Sequence, residues 1–254
     1  MKEDKKIVLP IPENLRRLYD TEEKIRNESI LYIAGNPDCA FQLEIMQTAL
    51  NMIHDISIEN KSEDIDENTI RNIGCRLYNT TSVSYKLILA GYYQSALALM
   101  RDLLEVSFLL AWFKNDKSKI AQWRTMSRKD RRKNIDPIIY NDLDKNDGAT
   151  ERKRAKYHWL FCEYATHITP KFPKLLMLHE KIMIGPFFYD AHLKNCLIEL
   201  AKLLILCTLP FISLFITLPQ DFIKPRMEFL SKIEKWSTEF LRPFNVEDLE
   251  RWLE

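Results

Sequence analysis

Ser95-Ala-Leu-Ala-Leu-Met-Arg101-Asp-Leu-Leu-Glu105-Val-Ser-Phe-Leu-Leu-Ala-Trp-Phe113 is apolar on nearly every helical face, and it contains Arg101 and Glu105 four residues apart. An all-round apolar helix belongs inside a protein. Two ionisable groups on one face of such a helix are costly unless they pair and find hydrogen bonds. Residues four apart do share a face, and Gln94, one heptad before Arg101, shares it too. The pair therefore marks either a polar site inside a helical bundle, with Glu105 holding Arg101 toward a ligand or a histidine, or a structural ion pair that fixes helix packing.

Working outward, the chain is rich in helix formers and poor in turn residues, with five glycines in 254 residues. That scarcity argues against sandwiches, barrels and Rossmann sheets, which need many tight turns. The expected fold class is all-α: an up-and-down bundle of four or five helices with a basic helical insertion and extra terminal helices. Residues 1–37 read as an arm, with Pro10 and Pro12, followed by a charged helix over Glu13 to Ile33. Residues 38–218 form the bundle, and 219–254 an amphipathic helix packed on it. Within the bundle, Asp38 is the expected cap of a helix through Ile56, and Asp64 or Asp66 of a long helix that Gly91 breaks or bends. Short helices are expected over Ile120 to Met126 and Pro137 to Leu143. A further helix should run from Thr150 to about His167, and a long one from Tyr189 to Leu218 with a bend at Pro210. The last helix should present Phe222, Met227, Leu230, Ile233, Trp236 and Phe240 inward.

Leu203 to Leu218 carries no charge over sixteen residues. A helix of that length spans about 24 Å, short of a hydrocarbon core of ~30 Å. It reads as a buried core helix, and no membrane is expected among the partners. The N-terminus Met-Lys-Glu-Asp-Lys-Lys is too polar to begin a secretory signal. The five cysteines are odd in number and form no C-x-x-C pair. They read as reduced thiols of a cytoplasmic protein.

Net charge is +1, but residues 117–156 hold thirteen Lys or Arg against six Asp or Glu, leaving −6 for the rest. Within that insertion, Arg124, Arg128, Lys129, Arg131, Arg132, Lys133 and Arg154 form a candidate nucleic-acid footprint, since clustered cations neutralise phosphates and release counterions. Trp123 and Trp159 offer stacking faces. The same run also reads as a solvated helix face, with Asp130, Asp136 and Glu151 interspersed. His167 sits near a helix end, where the dipole favours its cation, and Tyr164 three residues earlier should share its face. The chain has no H-E-x-x-H and no Glu-x-x-His on two helices, so no metal or other cofactor is expected. Walker A, G-x-G-x-x-G and G-x-S-x-G motifs are absent as well.

The alanine-rich Gly91-Tyr-Tyr-Gln-Ser-Ala leading into Arg101-Asp-Leu-Leu-Glu105, then Trp123-Arg124, then Tyr164-Ala-Thr-His167, resembles the bacterial HEPN-like helical families over roughly residues 38–218. The resemblance implies an up-and-down bundle, a homodimer, and membership of a superfamily rich in toxin–antitoxin and antiviral-defence ribonucleases. Active members cut RNA without metal, using an Arg, four to six residues, then a His. His167 would need Arg at 160, 161 or 162, where Leu160, Phe161 and Cys162 stand; Arg152 and His158, with five residues between, do fit. The resemblance thus implies RNA binding and possible cleavage, with His167 or His158 as acid/base and Arg101 or Arg152 on the phosphate. Glu105 and Tyr164 complete the candidate catalytic set. The alternative is a non-catalytic helical module that binds a partner protein or a small ligand.

Overall fold

The computed structural model describes residues 11–59, 62–148, 152–215, 218, 220–240 and 246–253. The expected arm over 1–12 therefore lies almost wholly outside the described residues. The fold is all-α, with ten α-helices and one two-stranded hairpin among the described residues. Helix α1 (Glu13–Ala34) leads to α2 (Pro37–Glu59), α3 (Ile65–Leu89) and α4 (Tyr93–Asn115). The insertion supplies α5 (Ser118–Thr125) and α6 (Arg128–Asn146), followed by α7 (Lys153–Phe161). A π-turn over Cys162–Thr166, a 3-10 turn over Phe172–Leu176 and strands β1 (Met177–Leu178) and β2 (Lys181–Ile182) lead to α8 (Asp190–Ser213). Helices α9 (Ile223–Phe240) and α10 (Val246–Leu253) close the chain.

The core is a four-helix bundle of α2, α3, α4 and α8. Helix α1 packs on α2 and α3, α9 on α2, and the insertion with α7 and its π-turn on α4. The bundle is tight where α2, α3 and α8 meet. A Cβ on Gly74 would collide with the Ser57 hydroxyl and the Phe211 ring. Helix α8 is long and apolar enough to cross a membrane, yet 72% of its most apolar window is buried by the other helices. It is the central core helix, with Leu193, Leu197, Leu200, Leu204 and Phe211 at zero exposure.

Local chemistry sets the boundaries. Asn36, not Asp38, caps α2: its Oδ1 accepts the Cys39 amide at 3.1 Å, which lets Pro37 occupy the first helical position, where a missing N–H costs nothing. Asp64 caps α3 by accepting the amides of Asp66 and Glu67. Gly91 ends the α3 segment at φ +81°, and a Cβ there would strike the Phe187 backbone as the 185–189 loop crosses it. Helix α6 begins nine residues before the expected Pro137, because Ser127 accepts the Asp130 amide and starts the helix early. Lys117 Nζ donates to the Leu214 carbonyl at 3.0 Å, so the insertion covers the C-terminal end of α8, which stops at Ser213 rather than Leu218. Phe222, in the 3-10 turn Gln220–Phe222 before α9, and Phe229 and Trp236 on α9 face inward, while Met227 is 62% exposed. Trp236 Nε1 donates to Gln42 Oε1 at 2.6 Å, and this bond sets which stripe of α9 docks on α2.

Candidate functional site

Helix α4 and the segment from α7 into the π-turn run antiparallel, and their polar contacts form a ladder. Gln94 donates to the Ala165 carbonyl, Arg101 Nη1 lies 3.9 Å from Cys162 Sγ, and Glu105 Oε1 accepts from His158 Nε2 at 2.9 Å. One turn further, the Arg154 guanidinium lies 5.9 Å from the Phe108 ring. As the α4 number rises the partner number falls, so the register follows from antiparallel packing of two helices. The face that the spacing of Gln94, Arg101 and Glu105 selects is the face that α7 covers.

At the centre, Glu105 Oε1 serves two cations. Arg101 Nε lies 3.1 Å from it and His158 Nε2 2.9 Å, with side chains 28%, 32% and 20% exposed for Arg101, Glu105 and His158. The Arg101 Nε contact is an ion pair without hydrogen-bond alignment. The group is half-buried at the flank of the bundle. Its neighbour on α4, Asp102, is gripped by Arg76 of α3 through contacts of 3.0 and 2.5 Å. The Tyr140 ring of α6 stands 5.8 Å from the His158 ring.

Cys162, one helical turn after His158, completes the cluster. Its Sγ lies 3.8 Å from Nδ1 and 3.9 Å from Nε2 of His158. Burial by itself pushes His158 down. The adjoining sulfur and the Glu105 carboxylate outweigh burial and raise it to about 9, so the imidazolium persists through neutral pH. For Cys162, burial pushes the thiol up, and His158 with Arg101 more than reverses this, leaving it below the ordinary thiol value. The site therefore carries two cations, one carboxylate and a thiol inclined to ionise. Such a set can hold an anion, donate a proton and present a nucleophile.

The other expected residues fall elsewhere. His167 is exposed at the end of the π-turn, its amide bonded to the Cys162 carbonyl at 2.8 Å, whereas Tyr164 is buried with Lys171 5.3 Å from its ring. They do not share a face, because the π-turn inserts an extra residue and breaks the α spacing. Arg152 is exposed and precedes α7 in the left-handed region at φ 51°. Of the basic set, Arg124 is ion-paired with Asp66, and Arg154 with Asp144 and Asp147. Lys129 is exposed, and the side chains of Arg128, Arg131, Arg132 and Lys133 lie outside the described residues. Trp159 is 58% exposed and Trp123 packs on Phe113. No group of three or more His, Cys, Asp or Glu among the described residues is placed to hold a metal ion.

Two features escape a reading by composition. Cys162 reads as one more buried thiol; the signal that singles it out is the His158-x-x-x-Cys162 spacing, which places both on one helical face. The second is a buried polar cluster joining α7 to α8. Tyr157 donates to Glu199 Oε1, and Lys202 Nζ lies 2.7 Å from the Tyr157 hydroxyl and 3.3 Å from Glu199 Oε2. Glu199 and Lys202, three apart in an apolar helix, were its visible trace.

No family model, no curated protein and no solved structure matches this chain.

Proposed function

We propose that this chain is a cytoplasmic, homodimeric HEPN-like protein whose Arg101–Glu105–His158 site binds RNA phosphodiesters and cleaves them without metal. The observation that carries the reading is the single Glu105 carboxylate holding a guanidinium and a protonated imidazole side by side, at 3.1 and 2.9 Å. An adjacent cation pair is what a phosphodiester needs as charge builds on its oxygens. Glu105 takes the proton of the 2′-hydroxyl as that oxygen attacks phosphorus, and Arg101 neutralises the phosphorane. His158 gives its proton to the departing 5′-oxygen. The 2.9 Å contact then returns the proton from Glu105 to His158.

The test is cleavage of single-stranded RNA in the presence of a chelator. The expected products end in 2′,3′-cyclic phosphate. His158→Ala should lose on the order of 100-fold or more, Arg101→Ala a similar amount, and the exposed His54→Ala nothing. Full activity in a folded His158→Ala protein, or loss in His167→Ala alone, overturns the assignment. The second reading, a binding module without catalysis, draws on Arg124 and Arg154 being neutralised by acidic partners, which shrinks the basic footprint. No cleavage of any RNA by the wild type selects it.

A further inference from the structure

The RNA chemistry leaves one member of the cluster without a task. Cys162 Sγ faces the edge of an imidazolium at 3.8 and 3.9 Å and a guanidinium nitrogen at 3.9 Å. Two cations that close favour the ionised form of the sulfur, and the thiolate is the reactive form. The groups around it are His158 from α7, Arg101 and Glu105 from α4, and beyond Glu105 the Arg76–Asp102 pair, with the Tyr140 ring closing the α6 side. Two cations contact the sulfur, and the Glu105 carboxylate is engaged by both of them.

The other buried thiols form an internal contrast. Cys196 and Cys207 lie at zero exposure and burial pushes both thiols up. Cys207 donates to the Leu103 carbonyl at 3.2 Å, the behaviour of a neutral thiol. Cys39 is likewise pushed up by burial. Cys162 is itself 3% exposed, but the side chains of Arg101, Glu105 and His158 around it are 28%, 32% and 20% exposed, so it sits one side chain below the surface. It also opens the π-turn, a local irregularity that recurs at functional positions.

We propose that Cys162, set between His158 and Arg101, is a cysteine that small peroxides oxidise through its thiolate, a modification site independent of the RNA reading. The sulfur attacks one oxygen of hydrogen peroxide, the S–O bond forms as the O–O bond breaks, and the sulfur loses two electrons to the peroxide. The departing hydroxide takes a proton from the His158 imidazolium and leaves as water, and Cys162 becomes a sulfenic acid. Arg101 steadies the negative charge that passes to the leaving oxygen.

The test uses the full chain without RNA, so its failure leaves the ribonuclease reading standing, and the reverse holds. The protein is treated with hydrogen peroxide and a 1,3-diketone trap at pH 7, and the adduct is located by peptide mass spectrometry. Cys162 should be trapped at least about tenfold faster than Cys207, since an ordinary thiol is only a few per cent ionised at that pH. The rate should reach half its plateau below the ordinary thiol value of about 8.5, and His158→Gln should move that midpoint upward. Equal trapping of Cys162 and Cys207, trapping confined to Cys75, or a folded His158→Gln protein with an unchanged midpoint overturns the proposal. If His158→Gln does not fold, the wild-type profile decides: a midpoint at or above about 8.5 overturns it.

Discussion

Replacing Glu105 by Gln keeps the shape of the side chain and removes the charge that Arg101 and His158 share. In the folded protein His158 is raised from 6.5 to about 9. At 1.36 kcal/mol per pH unit, that rise corresponds to about 3 kcal/mol of preference for the folded state, from all neighbours net of burial. The Cys162 sulfur and the Glu105 carboxylate both raise it; an opposite charge at hydrogen-bond distance typically moves a pKa by about one unit or more, so the Glu105 part is on the order of 1.5 kcal/mol. The sign follows from the direction of the shift. A histidine raised on folding contributes fully below the unfolded value of 6.5, and the contribution disappears as pH rises through about 9. Glu105→Gln should therefore destabilise the protein by about 1.5 kcal/mol more at pH 6 than at pH 9.5, where only the Arg101 contact is lost. Urea unfolding at the two pH values measures the difference, and the His158 ring resonance in an NMR titration should move down by at least about one pH unit in the variant. A penalty equal at both pH values, or a His158 titration indifferent to the substitution, would refute the claim that this carboxylate holds the imidazolium.

Two further outcomes test the packing around the site. His192 is enclosed by the rings of Tyr189, Tyr93 and Phe187 at 4.8, 5.4 and 6.4 Å, and burial pushes it down to about 4. Its neutral form is the folded one, so about 3 kcal/mol of stability should be lost as pH falls from 6.5 to 4. His192→Phe should flatten that part of the stability curve, as read by thermal melts across the range. Gly91→Ala should cost at least about 2 kcal/mol by calorimetry, because both its left-handed backbone and the Phe187 backbone beside it resist a side chain. Gly148→Ala, equally left-handed but in open space, should cost only about 1 kcal/mol.

The sequence made the class and the chosen face of α4 legible, because both follow from local spacing. Apolar period, turn scarcity and a cap at Asp64 or Asp66 predict α3 and α4 to within a few residues, and Arg101 and Glu105 stand out by being charged in an apolar run. What the spacing could not supply is the partner across the gap. Whether α4 meets His158 or His167 depends on the antiparallel register of two helices, which tertiary packing decides. The π-turn compounds this: one extra residue between Cys162 and His167 rotates everything after it, so Tyr164 turns inward and His167 outward, against the three-residue spacing that would have kept them together. The β1–β2 hairpin was invisible for a different reason. Its turn uses His179 and Glu180 at φ 49° and 66°, residues that carry no turn signature, where Asn-Gly would have announced it.

Helix α7 explains how a site at the flank of a bundle is held in place. At nine residues it is too short to be stable alone. Its adjacent residues reach two different core helices: Tyr157 joins Glu199 and Lys202 of α8, and His158 joins Glu105 of α4. The first cluster is nearly closed to water, with Tyr157 1% and Glu199 5% exposed, whereas the second is partly open. That division is physically sensible. A buried, mutually satisfied cluster is costly to break once formed and fixes the register of α7 against α8. With that register fixed, His158 and Cys162 are presented to Arg101 and Glu105 without either pair having to supply the docking energy itself. Reactive groups need solvent and unmet charge, which work against stability, and here the stabilising contact sits one residue away, on a different face of the same short helix.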